Sequence, residues 1–445
     1  MNGRSASPTT TCQPSSLAET AEVLTSVLLP TVVRGAIVRR PAGEALATAT
    51  ESDRRIVSVL RSLRERHGDD PLPLRHTGRR IALVLAPADV RRILEGTPDP
   101  FSPGGAEKRG ALSHFQPHGA LVSDHGARPR RRRANEEALA LGELIHPEAD
   151  TVAEHAYSEA RALVLALRNA GPQGGVLDWS RFSETFDALA RRVVFGSFAV
   201  RDRRATELLR ALRARANWSY LLPADQRRRK EFLDRVRANI DRAEPGSLAA
   251  RLGRPGSGER PEDQVAHWLF AFDAAAIASF RALALLTSSG PAAEAARTEA
   301  LTEDGADLPL LRATLRESVR LWPTTLVVIR ESTRETVWRE RTIEPGTAFL
   351  VMSSYFHRDP ARLPYADTFE PGVWTDGRAE GEPAIVPFSH GPAGCPGRDL
   401  VPLTVSFLLR TLLRGGPLNR VDGAPPLRSH GLPSSLNHFA LRFSY

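Results

Sequence analysis

Apolar positions recur at helical spacing between charged ones over most of this chain. Residues 51–67, 130–143, 147–170, 181–195, 203–216, 225–242, 262–288 and 308–321 carry that period and are expected as helices. Strand-like runs are short: 80–85 ("RIALVL"), 325–330 ("TLVVIR"), 347–352 ("TAFLVM") and a last pair near 427–444. The turn tetrapeptide Glu344–Thr347 precedes the third of them. Pro/Gly-rich stretches at 98–106, 252–261 and 371–397 read as loops, with no internal repeat and no break in composition. The pattern predicts a mainly α protein with a small β-sheet region fed by both ends of the chain. Residues 17–445 are expected as a single domain, and the polar residues 1–16 as a disordered tail.

Composition narrows the classes. With 445 residues and 41% hydrophobic content, the chain can bury a large core. The net charge is +8, carried by arginine; lysine occurs only at Lys108 and Lys230. The arginines are scattered, without zinc-finger spacing or a basic-aromatic box, so nucleic-acid binding is not expected and solvated helix faces are. Cys12 and Cys395 lie far apart in sequence, one in the polar tail, so no structural disulfide is expected. The run "VLTSVLLPTVV" is broken by Pro30 and falls short of the roughly 20 residues a membrane span needs. It also lacks a secretory-signal pattern. These features predict a soluble, cytoplasmic protein.

Cys395 sits in "FSHGPAGCPGRD", with the spacing Phe388, Gly391, Cys395, Gly397. A helix-like run, "RDLVPLTVSFLLRTLL", follows. A thiolate at a helix start is favoured by free amides and the dipole. Glycines let backbone approach a flat ligand, and Phe388 can pack beside the sulfur. A cysteine ligand to haem iron has these needs. A nucleophilic cysteine with His390 as base and a plain structural loop are the competing readings.

Upstream, "LRESVR" contains Glu317 and Arg320 at i,i+3 spacing, a pattern common on exposed helices. It is followed in order by "LWP" (321–323), "FHRDPARLP" (356–364), "FEPGVW" (369–374) and the cysteine loop. Taken together, from about residue 75 to the C-terminus, these motifs resemble the cytochrome P450 family of haem-thiolate monooxygenases, in its bacterial soluble form. The resemblance implies the cytochrome P450 fold, a triangular helical prism, with haem b (iron protoporphyrin IX) as cofactor. It implies Cys395 as the ligand to the haem iron, and Glu317 and Arg320 as a buried ion pair bracing the haem-side loop. Arg128, Arg132 and Arg330 would pair the haem propionates, with Phe388, Gly391, Gly397 and His390 completing the cradle. Two family positions are altered: Ala393 stands where a propionate-pairing His or Arg is frequent, and Val373 where an arginine joins the Glu-Arg pair.

The helix 262–288, "PEDQVAHWLFAFDAAAIASFRALALL", is apolar all round, as expected of a helix crossing above the haem. The family's [AG]-G-x-[DE]-T falls on Ala271, Phe272, Asp273, Ala274, Ala275, so the glycine becomes phenylalanine and the acid–alcohol pair becomes two alanines. Shifting by one residue places Asp273 at the acid position, still followed by an alanine, Ala274. A methyl group relays no proton, so Asp273, Ala274 and Ala275 mark the catalytic departure. Arg281 lies six residues past Ala275, about 9 Å along the helix, too far to hold a substrate carboxylate at the iron.

By the resemblance, the substrate pocket takes Phe101, Phe115, Phe270, Phe272, Ala276, Thr324, Thr325, Leu326, Val327, Ser434 and Ser435, a mixture suited to a moderately apolar small molecule. The reading is a cytochrome P450-type oxidoreductase tailoring a specialised, antibiotic-like metabolite. Its chemistry is expected not to need the proton relay: nitrenoid-type C–N bond formation or cyclisation, rearrangement, or peroxide-driven oxidation. One alternative is an ordinary O2- and NAD(P)H-dependent monooxygenase with substrate- or water-assisted proton delivery. Another is a non-catalytic haem protein that binds a small ligand. Ferredoxin and ferredoxin reductase are the candidate electron donors, with neither nucleic acid nor membrane as partner, and a monomer is expected.

Overall fold

The computed structural model describes residues 10–123, 126–170, 175–252, 259–339, 341–428 and 430–445. Residues 1–9 of the expected tail and 253–258 of the expected loop lie outside the described residues.

All eight helices anticipated from the apolar period are present: Ser52–His67, Arg128–Ala138, Ala149–Arg168, Trp179–Phe195, Arg203–Ala216, Gln226–Asp241, Pro261–Leu286 and Pro309–Leu321. The run after the cysteine forms Leu400–Arg414. Three helices opened by a proline in the first turn, Pro41–Ala49, Pro87–Glu95 and Pro291–Thr302, were not foreseen. Each is short and weakly periodic, but proline suits the start of a helix, where the N–H has no partner to lose.

The helical body is built on Pro261–Leu286. It packs on Trp179–Phe195 and Pro309–Leu321, while Leu400–Arg414 packs on Ala149–Arg168 and Pro309–Leu321. By length and composition Pro261–Leu286 could cross a membrane, at a mean hydropathy of 1.8, but 72% of that window is buried inside the protein. Its apolar surface is matched by other helices rather than by lipid.

A five-stranded sheet runs in the order Leu72–Pro73, Ile81–Leu83, Ala348–Met352, Val327–Ser332, Phe101–Ser102. Ile81–Leu83 is parallel to Ala348–Met352 and the other pairs are antiparallel, with Arg330 opposite Phe349. This sheet and Ser52–His67 bury a second apolar cluster. Of the last expected strand pair, only Arg442–Ser444 is a strand, joined to Val176–Asp178 and Asn419–Arg420. Near 427 there are isolated bridges at Arg428 and His430.

The expected disorder of residues 1–16 is corrected for its described part. Thr10–Thr11 pairs parallel with Arg341–Ile343, and the amides of Cys12 and Ser15 donate to Thr342 O (3.1 Å) and Pro73 O (2.9 Å). The polar sequence satisfies its backbone at a sheet edge, and Cys12 enters the second cluster. Ser16 then caps Leu17–Val23 with Glu19 in a reciprocal capping box.

Candidate functional site

The cysteine loop is closed by two short backbone bonds: Cys395 N–H to Phe388 O and Gly394 N–H to Gly391 O, both 2.8 Å. Gly391 has φ +67, and a Cβ there would lie 2.3 Å from Leu94 O. Only glycine meets both conditions. Gly397 differs from the expectation of close backbone approach, because a Cβ there meets nothing nearer than 3.5 Å. What Gly397 supplies is its amide, which hydrogen-bonds the Cys395 sulfur. Burial raises the thiol above its ordinary range, opposed by that amide and by Arg132 and Arg398. Yet Cys395 is partly accessible, so a desolvated thiol faces an enclosed interior space rather than bulk water.

His390 does not join the cradle. Its Nε2 lies 3.3 Å from Glu95 Oε1 in a half-exposed surface pair, which also removes it as a base for the thiol. Arg128 reaches Ala120 O (2.8 Å) and Pro392 O (3.3 Å), and Arg132 reaches Gly394 O and Glu136, each at 2.6 Å. Arg330 donates to Thr97 Oγ1 (3.2 Å), Ser389 Oγ (3.3 Å) and Ile329 O (3.0 Å). Lys108, which no motif in the sequence singles out, also donates from Nζ to Ile329 O, at 3.2 Å.

Among the described residues Lys108, Arg128 and Arg330 have no carboxylate partner, and their only bonds are to neutral oxygens. Burial drives Lys108 well below the usual lysine range, and Arg330 and Arg128 push it further. Burial and Arg128 bring Arg330 down to about 10. Three buried cations repelling one another without an anion are costly. The cluster fits a ligand with two carboxylates, and with the amide-held thiol beside it the residues present fit haem.

On Pro261–Leu286, His267, Phe270, Ala271 and Ala274 are partly accessible, while Phe272, Ala275, Ala276 and the following residues are buried. The accessible four follow i, i+3, i+4, i+7 and share one face. This face adjoins the cysteine loop, because Arg132 acts electrostatically on both the Cys395 thiol and the His267 imidazole. Burial lowers His267 to about 4, with Arg132 and Lys108 adding to the effect. The ring is therefore neutral near pH 7, and its Nδ1 is 2.8 Å from Gln116 Nε2. His267 carried no signal beyond a lone polar residue in an apolar helix.

The helix phase corrects the alignment that made Ala274 the lost acid and Ala275 the lost alcohol. Ala275 faces the core, and Ala274 is the residue on the open face. Asp273 turns to the neighbouring helix, where Oδ2 is 2.5 Å from Arg213 Nη2. The acid is thus retained, in an ion pair, and the alcohol alone is missing.

Several expected pocket residues move out of the site. Phe101 packs on Trp338 and Phe349, ring centroids 5.8 and 5.5 Å away, in the sheet cluster. Phe272 meets Phe186 at 6.2 Å and, with Ala276, belongs to the main core. Leu326 is buried and Thr325 is exposed. Ser435 donates to Asp53 at 2.6 Å, and Ser434 offers its carbonyl to Arg358. Phe115 and Phe270 stay together, with ring centroids 5.2 Å apart, and Thr324 and Val327 are partly accessible. Arg281 is fully buried, bonded to Glu44, Leu436 O and Trp322 O.

Beneath the loop, Glu317 and Arg320 form a bidentate pair, 2.7 Å at both contacts and fully buried. Arg320 also donates to the carbonyls of His357, Tyr365, Ala366 and Thr368. The third partner that Val373 cannot be is Trp374, the next residue.

A family model described as Cytochrome P450 matches residues 293–415. Among relatives, the dimethylnonatriene synthase of Arabidopsis thaliana is 31% identical over 167 residues, covering 34% of this chain and 32% of that protein. The cyclooctat-9-en-7-ol 5-monooxygenase of Streptomyces melanosporofaciens is 29% identical over 123 residues, 27% of each chain. The matches thus span about a third or less of the curated relatives' length. Two solved structures share the fold. CYP175A1 from Thermus thermophillus has a TM-score of 0.63 at 21% identity, over 84% of this chain and 92% of that one. CYP102L1 has 0.66 at 18% identity, over 87% and 97%.

Proposed function

We propose that this chain, which belongs to the cytochrome P450 family, is a haem-thiolate oxidoreductase acting on a small molecule. The observation that carries this is the convergence of Lys108, Arg128 and Arg330, without a carboxylate, beside the amide-held Cys395. Cys395 would hold the iron, and the three cations the two carboxylates. Bound there, haem supplies iron-centred oxidation of a molecule resting against the distal face. Phe115, Phe270, Ala271, Thr324 and Val327 bind the apolar body of that molecule, and the neutral His267 with Gln116 offers a hydrogen-bonding handle.

The missing alcohol at Ala274 favours chemistry that needs no relay from that position, such as rearrangement, nitrogen transfer or peroxide-driven oxidation of a specialised metabolite. The retained Asp273–Arg213 pair favours a second reading, an O2-dependent monooxygenase whose protons arrive through water and Asp273. A soluble setting and a ferredoxin with its reductase as electron donors go with the second reading.

The first test is the CO difference spectrum of the reduced protein. The red-shifted band of a thiolate ligand is expected, and the band of a protonated thiol or imidazole would overturn the assignment. The second compares turnover with ferredoxin, reductase and NADPH against turnover with peroxide; electron-dependent product alone selects the O2-dependent reading.

A further inference from the structure

Between Trp179–Phe195, Arg203–Ala216 and the distal helix lies a cavity of about 20 Å³ lined by Asp187, Ala190, Arg191, Thr206, Arg210, Arg213 and Leu269, among others. That volume holds one water. Arg213 is 4% exposed, and its Nε is buried with no hydrogen-bond partner. Its Nη2 holds Asp273 at 2.5 Å, and its Cζ lies 5.1 Å from the Phe270 ring centroid. The guanidinium thus has Asp273 at one nitrogen and, at another, an unmet donor in a cavity that also contains a carboxyl group. Asp187 pairs with Arg210 and keeps 29% of its side chain accessible.

We propose that a water in this cavity, bound between Asp187 and Arg213 Nε, is a proton entry port that feeds Asp273 beside Ala274. The proposal rests on the O2-dependent reading above. The proton passes from the Asp187 carboxyl to the water oxygen and from the water to Asp273 Oδ2. Asp187 is left as carboxylate and is reprotonated from solvent at its accessible edge. Arg213 drives the exchange. As it turns from Asp273 toward Asp187, Asp273 loses its cation and gains proton affinity, while Asp187 gains a cation and loses it. A cation moving one way sends a proton the other way.

Burial raises Asp187 to about 6, opposed by Arg210, Arg191 and Arg213 and reinforced by Asp273. Those groups come from its own helix, from Arg203–Ala216 and from the distal helix. A carboxyl group in that range is loaded and unloaded near neutral pH.

The primary test is the infrared carboxyl stretch of the haem-loaded protein as a function of pH. A band titrating near pH 6 is expected, absent in Asp187→Asn and shifted to lower pH in Asp273→Asn. A titration that survives Asp187→Asn, or that ignores Asp273→Asn, overturns the proposal whatever oxidant the enzyme uses. In reconstituted assays, Asp187→Asn should cut NADPH-driven oxygen consumption about tenfold or more. Peroxide-driven guaiacol oxidation should fall by a smaller factor, because peroxide brings its own protons. Equal losses in both assays would also overturn it. Ala190→Val, which fills the cavity without touching a charge, should reproduce the larger NADPH-dependent loss; an unaffected Ala190→Val enzyme would remove the water from the scheme.

Discussion

The indole N–H of Trp374 donates to Glu317 Oε1 at 2.8 Å. Glu317 receives Arg320 at both carboxylate oxygens and the Glu370 amide at 3.1 Å. A neutral ring thus takes a place that a cation could have filled, and the buried group carries a single positive charge on Arg320. Removing that charge leaves a carboxylate and four carbonyls without their donor. Arg320→Ala is expected to cost about 3–5 kcal/mol, and Trp374→Phe about 1.5–3 kcal/mol. Denaturant unfolding of the haem-loaded variants measures both, and the first should also lose haem on purification.

Lys108 should matter to haem retention more than to fold. Replacing it with methionine keeps the stem and removes the charge. Haem transfer to apomyoglobin is expected to accelerate about tenfold or more, the equivalent of one charged contact. The haem-free protein should respond in the opposite sense. Its folded-state lysine holds a proton less tightly than the unfolded one, so stability rises with pH up to the ordinary lysine range. Lys108→Met should flatten that rise, read as melting temperature against pH.

Acid lability should trace to Glu44. This side chain is fully buried and faces Arg34 (3.0 Å), Arg281 (3.1 Å) and Arg39 (3.6 Å). Burial alone would raise its carboxyl, but the three arginines prevail and bring it down to about 2. The unfolded state therefore takes up the proton first. The stabilisation is complete above the ordinary 4.5 and lost as pH falls from there toward about 2. The amount is ~3 kcal/mol. Glu44→Gln should melt lower at neutral pH and lose this part of the acid dependence.

Ala274 and Ala275 should answer differently to threonine. Ala274 faces the open side, so Ala274→Thr should fold normally. If the reaction uses no relay, product formation should change by about twofold or less, a few tenths of a kcal/mol in barrier. Ala275 is 6% exposed in the main core, so Ala275→Thr should cost about 1–3 kcal/mol through overpacking. Product assays for the first and thermal melts for the second separate the two positions.

What could be seen in the sequence followed from how local each feature is. The cysteine loop is one uninterrupted stretch whose glycine at 391 reports a backbone requirement, and the long helices announce themselves by period. The phase of the distal helix did not, because an all-round apolar helix has no polar face to orient it; only its neighbours reveal that Ala274 faces inward and Asp273 turns to Arg213. Lys108 and His267 were missed for a related reason. Each is an isolated polar residue, and its meaning lies in charges that arrive from distant parts of the chain. Phe101 misled because a two-residue strand, paired with Glu331 and Ser332, draws it into the sheet core.

The burial of Cys12 beneath the N-terminal strand has a consequence for thiol chemistry. Burial, with Asp70 adding to it, pushes that thiol up to about 11. At neutral pH it is neither ionised nor open to an alkylating reagent. Toward iodoacetamide the folded chain therefore behaves as a single-cysteine protein. Alkylation stoichiometry becomes a direct count of molecules whose Cys395 sulfur is unclaimed.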